Sequence, residues 1–229
     1  MPDNRFYLDA PLTQGSTPSL SGEQLHHIRV MRKDIGDHIE LVNGKGSLAK
    51  AQITAIDKRD AHLLIQESTS APPPSRQVIL AQALLKPKNL DLVIEKGTEL
   101  GATAFWLFPA DRSEKSSLSP NQQARLHHLA ISALKQSGRL YLPEIALKPP
   151  LSEWTAPPMK AFFGDLSPEA PRFSPPDGDL LIFIGPEKGF SDEEIALLQG
   201  PLKGTGVRLS PNTLRAETAA LCALSLVSN

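Results

Sequence analysis

Hydrophobic and polar positions alternate in two distinct ways along this chain, with a change of pattern near residue 70. Before that point the apolar runs are short and separated by turn residues: His38-Ile39-Glu40-Leu41-Val42, then Asn43-Gly44-Lys45-Gly46, then Ala49 to Ile56, then Ala61 to Ile65. Period-two runs of this length bounded by glycine and asparagine predict β-strands, and roughly seventy such residues predict a small β-barrel. The stretch from Glu67 to Arg76 carries three successive prolines among small polar residues and reads as a stiff interdomain linker.

Beyond the prolines, buried strands alternate with helices. Val78 to Leu85 predicts a buried strand, and Leu90, Val93, Ile94, Gly97 and Leu100 then recur at helical spacing before Gly101, a C-terminal stop. Ala104 to Phe108 predicts the next strand. Asn121 to Ser137 predicts a helix with Leu126, Leu129, Ala130, Ala133 and Leu134 on one face, ending at Gly138. Further strands are expected at Lys160 to Phe163, Leu180 to Ile184 and Val207 to Leu209, with helices from Ser191 and from about Arg215. This order predicts an α/β domain with a largely parallel sheet. The expected boundaries are therefore 1–70 for a β domain and 75–229 for an α/β domain.

Composition narrows the class. A chain of 229 residues that is 40% hydrophobic and 21% charged can bury a substantial core. No apolar run approaches the length of a membrane helix, and Met1-Pro2-Asp3-Asn4-Arg5 lacks a signal-peptide pattern, so a cytoplasmic location is expected. The single cysteine, Cys222, permits no internal disulfide and reads as a small buried hydrophobe. His127 and His128 have no metal-ligand partners at suitable spacing, and no metal is expected. A net charge of −1 argues against a nucleic-acid partner held by overall charge. It leaves room for a local patch: the first seventy residues hold eight Lys and Arg against nine Asp and Glu, yet His26 to Lys33 is a basic run. Arg29, Arg32 and Lys33 are the candidate phosphate contacts there, against the alternative of a solvated charged face.

The segment Ile182-Phe183-Ile184-Gly185-Pro186-Glu187-Lys188-Gly189-Phe190-Ser191 leads from a buried strand into a helix. Such junctions are where open parallel sheets bind ligands. Ser191 with Glu194 is a capping-box signal that fixes the helix start. The loop is not a triphosphate-binding loop: Lys188 precedes Gly189, no Ser or Thr follows in order, and Glu187 would repel phosphate. No dinucleotide fingerprint follows any predicted strand. Taken alone, it could be a structural turn. A second strand–loop–helix junction follows, however, in Val207-Arg208-Leu209-Ser210-Pro211-Asn212-Thr213-Leu214-Arg215-Ala216-Glu217-Thr218-Ala219.

Together these two segments resemble the ribosomal RNA small-subunit methyltransferase E family, the uridine-N3 methyltransferases of the SPOUT superfamily. Leu84-Leu85-Lys86 with Glu95 to Gly101, Arg112 to Ser116, Gln136-Ser137-Gly138-Arg139, and His27 to Arg32 with Gly36-Asp37 agree, so the resemblance spans nearly the whole chain. It implies a PUA-like RNA-binding β-barrel followed by a SPOUT-type α/β domain with a C-terminal trefoil knot, acting as a homodimer. It further implies S-adenosyl-L-methionine as cofactor and small-subunit (16S) ribosomal RNA, free or in the assembled subunit, as substrate.

By the same resemblance the cofactor is held by three loops: Gly164, Asp165 and Leu166; Ile184, Gly185, Pro186, Glu187 and Gly189; and Leu209, Ser210, Asn212 and Leu214. Glycine lets the backbone approach an adenosyl group closely, and Ile184, Leu209 and Leu214 would flank the adenine. An arginine beside the transfer point would stabilise the anion formed when uridine N3 loses its proton, and Arg215 is the candidate, against a salt bridge to Glu217 or Glu187. Glu187 or Glu217 is the candidate base, unless each only caps a helix or orders a loop. Thr218 reads as a loop-ordering hydroxyl. Lys86, Arg112, Lys115 and Arg139 occupy positions that would surround the cleft and contact RNA. The sequence departs from the usual family pattern at Lys135, Lys188, Ser210 and Asn212. A SPOUT enzyme acting on transfer RNA and a non-catalytic RNA-binding or ribosome-assembly factor are the alternatives.

Overall fold

The computed structural model describes residues 4–227 and divides them into two units. Met1, Pro2 and Asp3 of the expected first domain, and residues 228–229 of the second, lie outside the described residues. The division falls at Pro73/Pro74, and residues 131–142 belong with the first unit, an inclusion that a boundary drawn at the prolines alone leaves out.

In the first unit, β1 (Arg5–Tyr7), β2 (Ser19–Ser21), β3 (His38–Val42), β4 (Ser47–Ile56) and β5 (Asp60–Ser70) form one sheet in the order β1-β3-β4-β5-β2. Only β1 and β3 pair in parallel. The β4–β5 register shifts at Lys50/Ala51 and Ile53/Ala55, irregularities that increase the local twist and curl the sheet around its inner face. Alternation puts Ile39 and Leu41, Ala49, Ala51 and Ile53, and Leu63 and Ile65 on that face. The short helix α1 (Gly22–Val30) adds Leu25 and Ile28 to the same core. β5 runs to Ser70, so residues expected to begin the linker are still strand.

In the second unit, β6 (Val78–Ala83), α2 (Pro87–Glu99), β7 (Ala104–Phe108), the part of α3 (Pro120–Ser137) up to Ala130, and β8 (Glu144–Leu147) come first. After a 3-10 turn at Leu151–Glu153 follow β9 (Lys160–Gly164), β10 (Leu180–Ile184), α4 (Asp192–Gln199), β11 (Thr205–Val207) and α5 (Ala216–Val227). The six strands are all parallel, in the order β11-β9-β10-β6-β7-β8. Ile79, Ala81, Ala83, Leu181 and Phe183 pack with Phe108, Leu151 and Leu198 in one core cluster, on the face that meets α4. α2 and α5 pack together at Gly97, where a Cβ would stand 2.7 Å from the Phe105 ring and 3.1 Å from Leu224. Burial on both faces explains why β10 reads as an unbroken apolar run and β6 as one interrupted only by Gln82.

The strand expected at 207–209 instead covers 205–207. Leu209 and Ser210 therefore lie in the following loop. The 165–179 connection embraces Arg208, whose N–H donates to Pro171 O at 2.8 Å and whose carbonyl accepts from Phe173 N at 2.9 Å.

Candidate functional site

Parallel strands point their carboxyl ends the same way, so the loops after β9, β10 and β11 emerge together. They enclose a cavity of about 570 Å³, within the range of small-molecule sites. Each of Gly164, Leu166, Ile184, Gly185, Pro186, Glu187, Gly189, Leu209, Ser210, Asn212 and Leu214 lines it. The wall is completed by Ala216 and Ala219 of α5, Ile195 of α4, and Arg112 from the segment after β7.

The loop after β10 is a tight turn. Gly189 N donates to Pro186 O at 2.9 Å, and Gly189 holds φ +73°, a conformation that favours glycine. A Cβ on Gly185 would stand 3.2 Å from Phe190 N, so this position admits only a small residue. Phe190 is buried behind the turn, and Ser191 caps α4 reciprocally with Glu194. Glu194 Oε1 also accepts from Asp111 N at 3.1 Å, which ties the loop after β7 to the same helix start.

Beneath the turn lies Gln82, fully buried at the end of β6. Its Nε2 faces the carbonyls of Ile184 and Gly185, each at 3.3 Å, and of Ala83 at 3.1 Å. Sequence reasoning passed over Gln82; the signal was a lone amide inside the apolar run Val78 to Leu85. Its Nε2 is satisfied by these carbonyls, while its Oε1 is buried without a hydrogen-bond partner among the described residues.

The two candidate bases differ. Glu187 Oε1 accepts from Lys86 N at 3.0 Å and from Asn89 Nδ2 at 3.2 Å. Lys86 is the N-cap of α2 and offers no side-chain cap, so Glu187 satisfies donors that the helix start leaves open. Glu217, on the first turn of α5, is 9% exposed, and its Oε2 has no hydrogen-bond partner among the described residues. It does not line the cavity. Arg215 is exposed, flanked in sequence by the lining residues Leu214 and Ala216, and forms no salt bridge with either glutamate among the described residues. Thr218 is exposed. Cys222 is half-buried, not fully buried as expected, and its Sγ reaches the Leu209 carbonyl of the cavity loop at 3.5 Å.

The expected RNA contacts divide between the units. In the first, Arg29 donates to the carbonyls of Asp57 at 2.9 Å and Lys58 at 3.0 Å, tying α1 to the β4–β5 turn. Arg32 is exposed, Lys33 is half-buried, and burial lowers the pKa of Arg139. In the second, Arg112 reaches the Lys188 carbonyl at 3.5 Å, Lys86 pairs with Glu114 at 3.2 Å, and Lys115 is half-buried. His127 and His128 are exposed on α3, and no group of three metal-ligating side chains forms among the described residues.

Residues 72–228 match a family model described as an RNA methyltransferase domain, and residues 20–66 match an RNA methyltransferase PUA domain. The chain is 31% identical to the ribosomal RNA small subunit methyltransferase E of Bacillus subtilis, over 95% of this chain and 91% of that protein. It is 29% identical to the protein of the same name from Rickettsia conorii, over 98% and 94%. The crystal structure of a ribosomal RNA small subunit methyltransferase E from Neisseria gonorrhoeae bound to S-adenosyl methionine superimposes with a TM-score of 0.87 at 25% identity, covering 97% of this chain and 95% of that one.

Proposed function

Because the chain belongs to the ribosomal RNA small subunit methyltransferase E family, we propose that it methylates N3 of a uridine in small-subunit ribosomal RNA, with S-adenosyl-L-methionine as donor. The observation that carries this reading is the cavity itself: three strand ends converge on a space of about 570 Å³ whose wall combines glycine and apolar residues with a few polar and charged side chains. That lining suits an adenosyl group, since main-chain amides and carbonyls can read a base edge while Ile184, Leu209 and Leu214 flank its faces.

When bound, the donor supplies a methyl group on a sulfonium sulfur, already activated for transfer. The chain must therefore align the nucleophile and manage its proton. Uridine N3 is protonated at neutral pH, and its loss of a proton spreads negative charge onto O2 and O4. Arg215, exposed beside the cavity and unpaired with either glutamate, stabilises that charge. Glu187, which lines the cavity and caps α2, and Glu217, buried on the first turn of α5 with Oε2 unpartnered among the described residues, are the two candidates to take the proton. Arg29, Arg32, Lys33, Lys86, Arg112, Lys115 and Arg139 contact the RNA backbone.

A homodimer, a trefoil knot formed where 165–179 embraces the chain at Arg208, and a cytoplasmic site of action complete the reading. No described helix is long and apolar enough to cross a membrane. The test is Arg215→Ala: calorimetric affinity for S-adenosylmethionine should stay within about twofold of wild type, while methyl transfer to small subunits falls by roughly 10²–10³-fold. Unchanged turnover removes Arg215 from the mechanism. Parallel assays on naked ribosomal RNA and transfer RNA identify the substrate, and a folded protein that gives no heat with the cofactor is a binding factor instead.

A further inference from the structure

The cavity holds two carboxylates, and only one has an oxygen committed to the neighbouring helix. Glu187 Oε1 serves the start of α2. Asp165, the first residue after β9, is half-buried and fixed in place: its N–H donates to Val207 O at 2.9 Å and its Oδ1 accepts from Ser167 N at 2.8 Å. Its Oδ2 lies against Gly206 of β11, where a Cβ would stand only 2.5 Å away. The absence of a side chain at 206 thus makes room for this oxygen. No donor among the described residues reaches Oδ2. Asp165 lines the cavity, and a carboxylate oxygen held in place with its lone pairs uncommitted to the protein is an open acceptor for a ligand donor.

Its position selects which donor. A Cβ on Gly164 would stand 3.5 Å from Ile184 Cδ1 and 3.9 Å from Leu209 Cδ1, so Asp165 is one residue from the apolar slot assigned to adenine. In an adenosyl group the ribose is bonded directly to the base, whereas the ammonium of the amino-acid arm lies several bonds further out. We infer that Asp165 accepts a hydrogen bond from the ribose hydroxyls of the cofactor and sets its preference for a ribonucleoside. This rests on the cofactor reading above. A vicinal diol presents two donors, and a carboxylate is the side chain best suited to accept them.

The experiment is calorimetric titration of the full chain with S-adenosylhomocysteine and with its 2′-deoxy and 3′-deoxy analogues. Wild type should bind at least one deoxy analogue on the order of tenfold to a hundredfold more weakly, the factor carried by a hydrogen bond to a charged group. In Asp165→Ala that ratio should collapse to about twofold or less. Asp165→Asn, which keeps an oxygen for Ser167 N and so preserves the loop, should give an intermediate ratio. Titration with 5′-methylthioadenosine, which lacks the amino-acid arm, separates the alternatives. If Asp165→Ala binds it like wild type while losing S-adenosylhomocysteine, the carboxylate answers to the ammonium and the inference is overturned. Equal discrimination by wild type and both variants also overturns it while leaving the cofactor reading intact. Wild type that binds none of these ligands removes both.

Discussion

Arg32 occupies a backbone position that glycine usually fills. At the end of α1, Lys33 N donates to Ile28 O at 3.1 Å and Arg32 N to Arg29 O at 3.0 Å, with Arg32 at φ +52°. The end of α2 repeats the pattern, with Ala102 N on Gly97 O at 3.0 Å, Gly101 N on Thr98 O at 3.2 Å, and Gly101 at φ +97°. An L-residue in this conformation costs about 1–2 kcal/mol, and glycine gives back part of the gain through its unfolded-state freedom. Arg32→Gly should therefore raise stability by about 0.5–1 kcal/mol and Gly101→Ala should lower it by about 1 kcal/mol, both read from urea midpoints. His27 offers a second residue-level test. It is half-buried, its ring 5.1 Å from that of Phe6, and burial chiefly, with Lys135 and His26, lowers its pKa from the usual 6.5. The folded state thus disfavours protonated His27, so its contribution vanishes above pH 6.5 and becomes destabilising as pH falls below that value. Replacing it with Gln should flatten the stability profile between about pH 5 and 7, whereas an unchanged slope would assign the acid sensitivity to another group. At this scale the loops after β10 and β11 were readable as strand-to-helix junctions, whereas Gly164 and Leu166, between two strands, came only from the family resemblance. The role of Glu187 was not, since its partners Lys86 and Asn89 lie about a hundred residues away and only the parallel sheet brings them near.

Elements were legible in proportion to their own periodicity. β3, β7 and β10 fall where the sequence places them, because each carries a complete alternating or fully buried run. β1 and β2 are three residues each and α1 buries only Leu25 and Ile28, too little pattern to distinguish them from loop. β11 begins two residues early because Thr205 and Gly206, the latter a weak strand former, pair with Phe162 and Phe163 of β9. Here tertiary pairing overrides local propensity. Two substitutions probe elements directly. Glu187→Ala should cost about 1 kcal/mol by uncapping α2, and Glu187→Gln, which keeps an amide oxygen, should restore most of it. If methyl transfer tracks stability in this pair, the carboxylate is a cap; if Gln abolishes transfer while restoring stability, it is the base. Gly97→Ala sets helix propensity, worth about 1 kcal/mol in favour of alanine, against overpacking onto Phe105 and Leu224, worth about 1–3 kcal/mol against it. Packing should win, and thermal unfolding should report a lower midpoint.

For the whole molecule, the division into two units is not a division into two consecutive pieces of chain. α3 begins in the second unit and its residues from Ile131 onward belong to the first, but its apolar face continues without interruption at Ala130/Ile131, so no sequence signal marks the change. The segment is bound into the first unit through Gly46 N to Leu140 O, Leu142 N to Gly44 O, and Tyr141 Oη to Ala71 O, each 2.9 Å. A fragment ending at Pro73 loses all of these, at about 1 kcal/mol apiece. Its β3–β5 amides should exchange hydrogen faster than in the full chain by the factor corresponding to about 3 kcal/mol, and equal protection would show the unit to be self-sufficient. Protein synthesis runs from one end only. The N-terminal strands therefore emerge from the ribosome with a seam left open, and it stays open until Leu142 has also been made. This chain therefore completes its N-terminal unit midway through making its second, and a stalled or truncated translation product would expose the Gly44–Gly46 edge to whatever strand comes by.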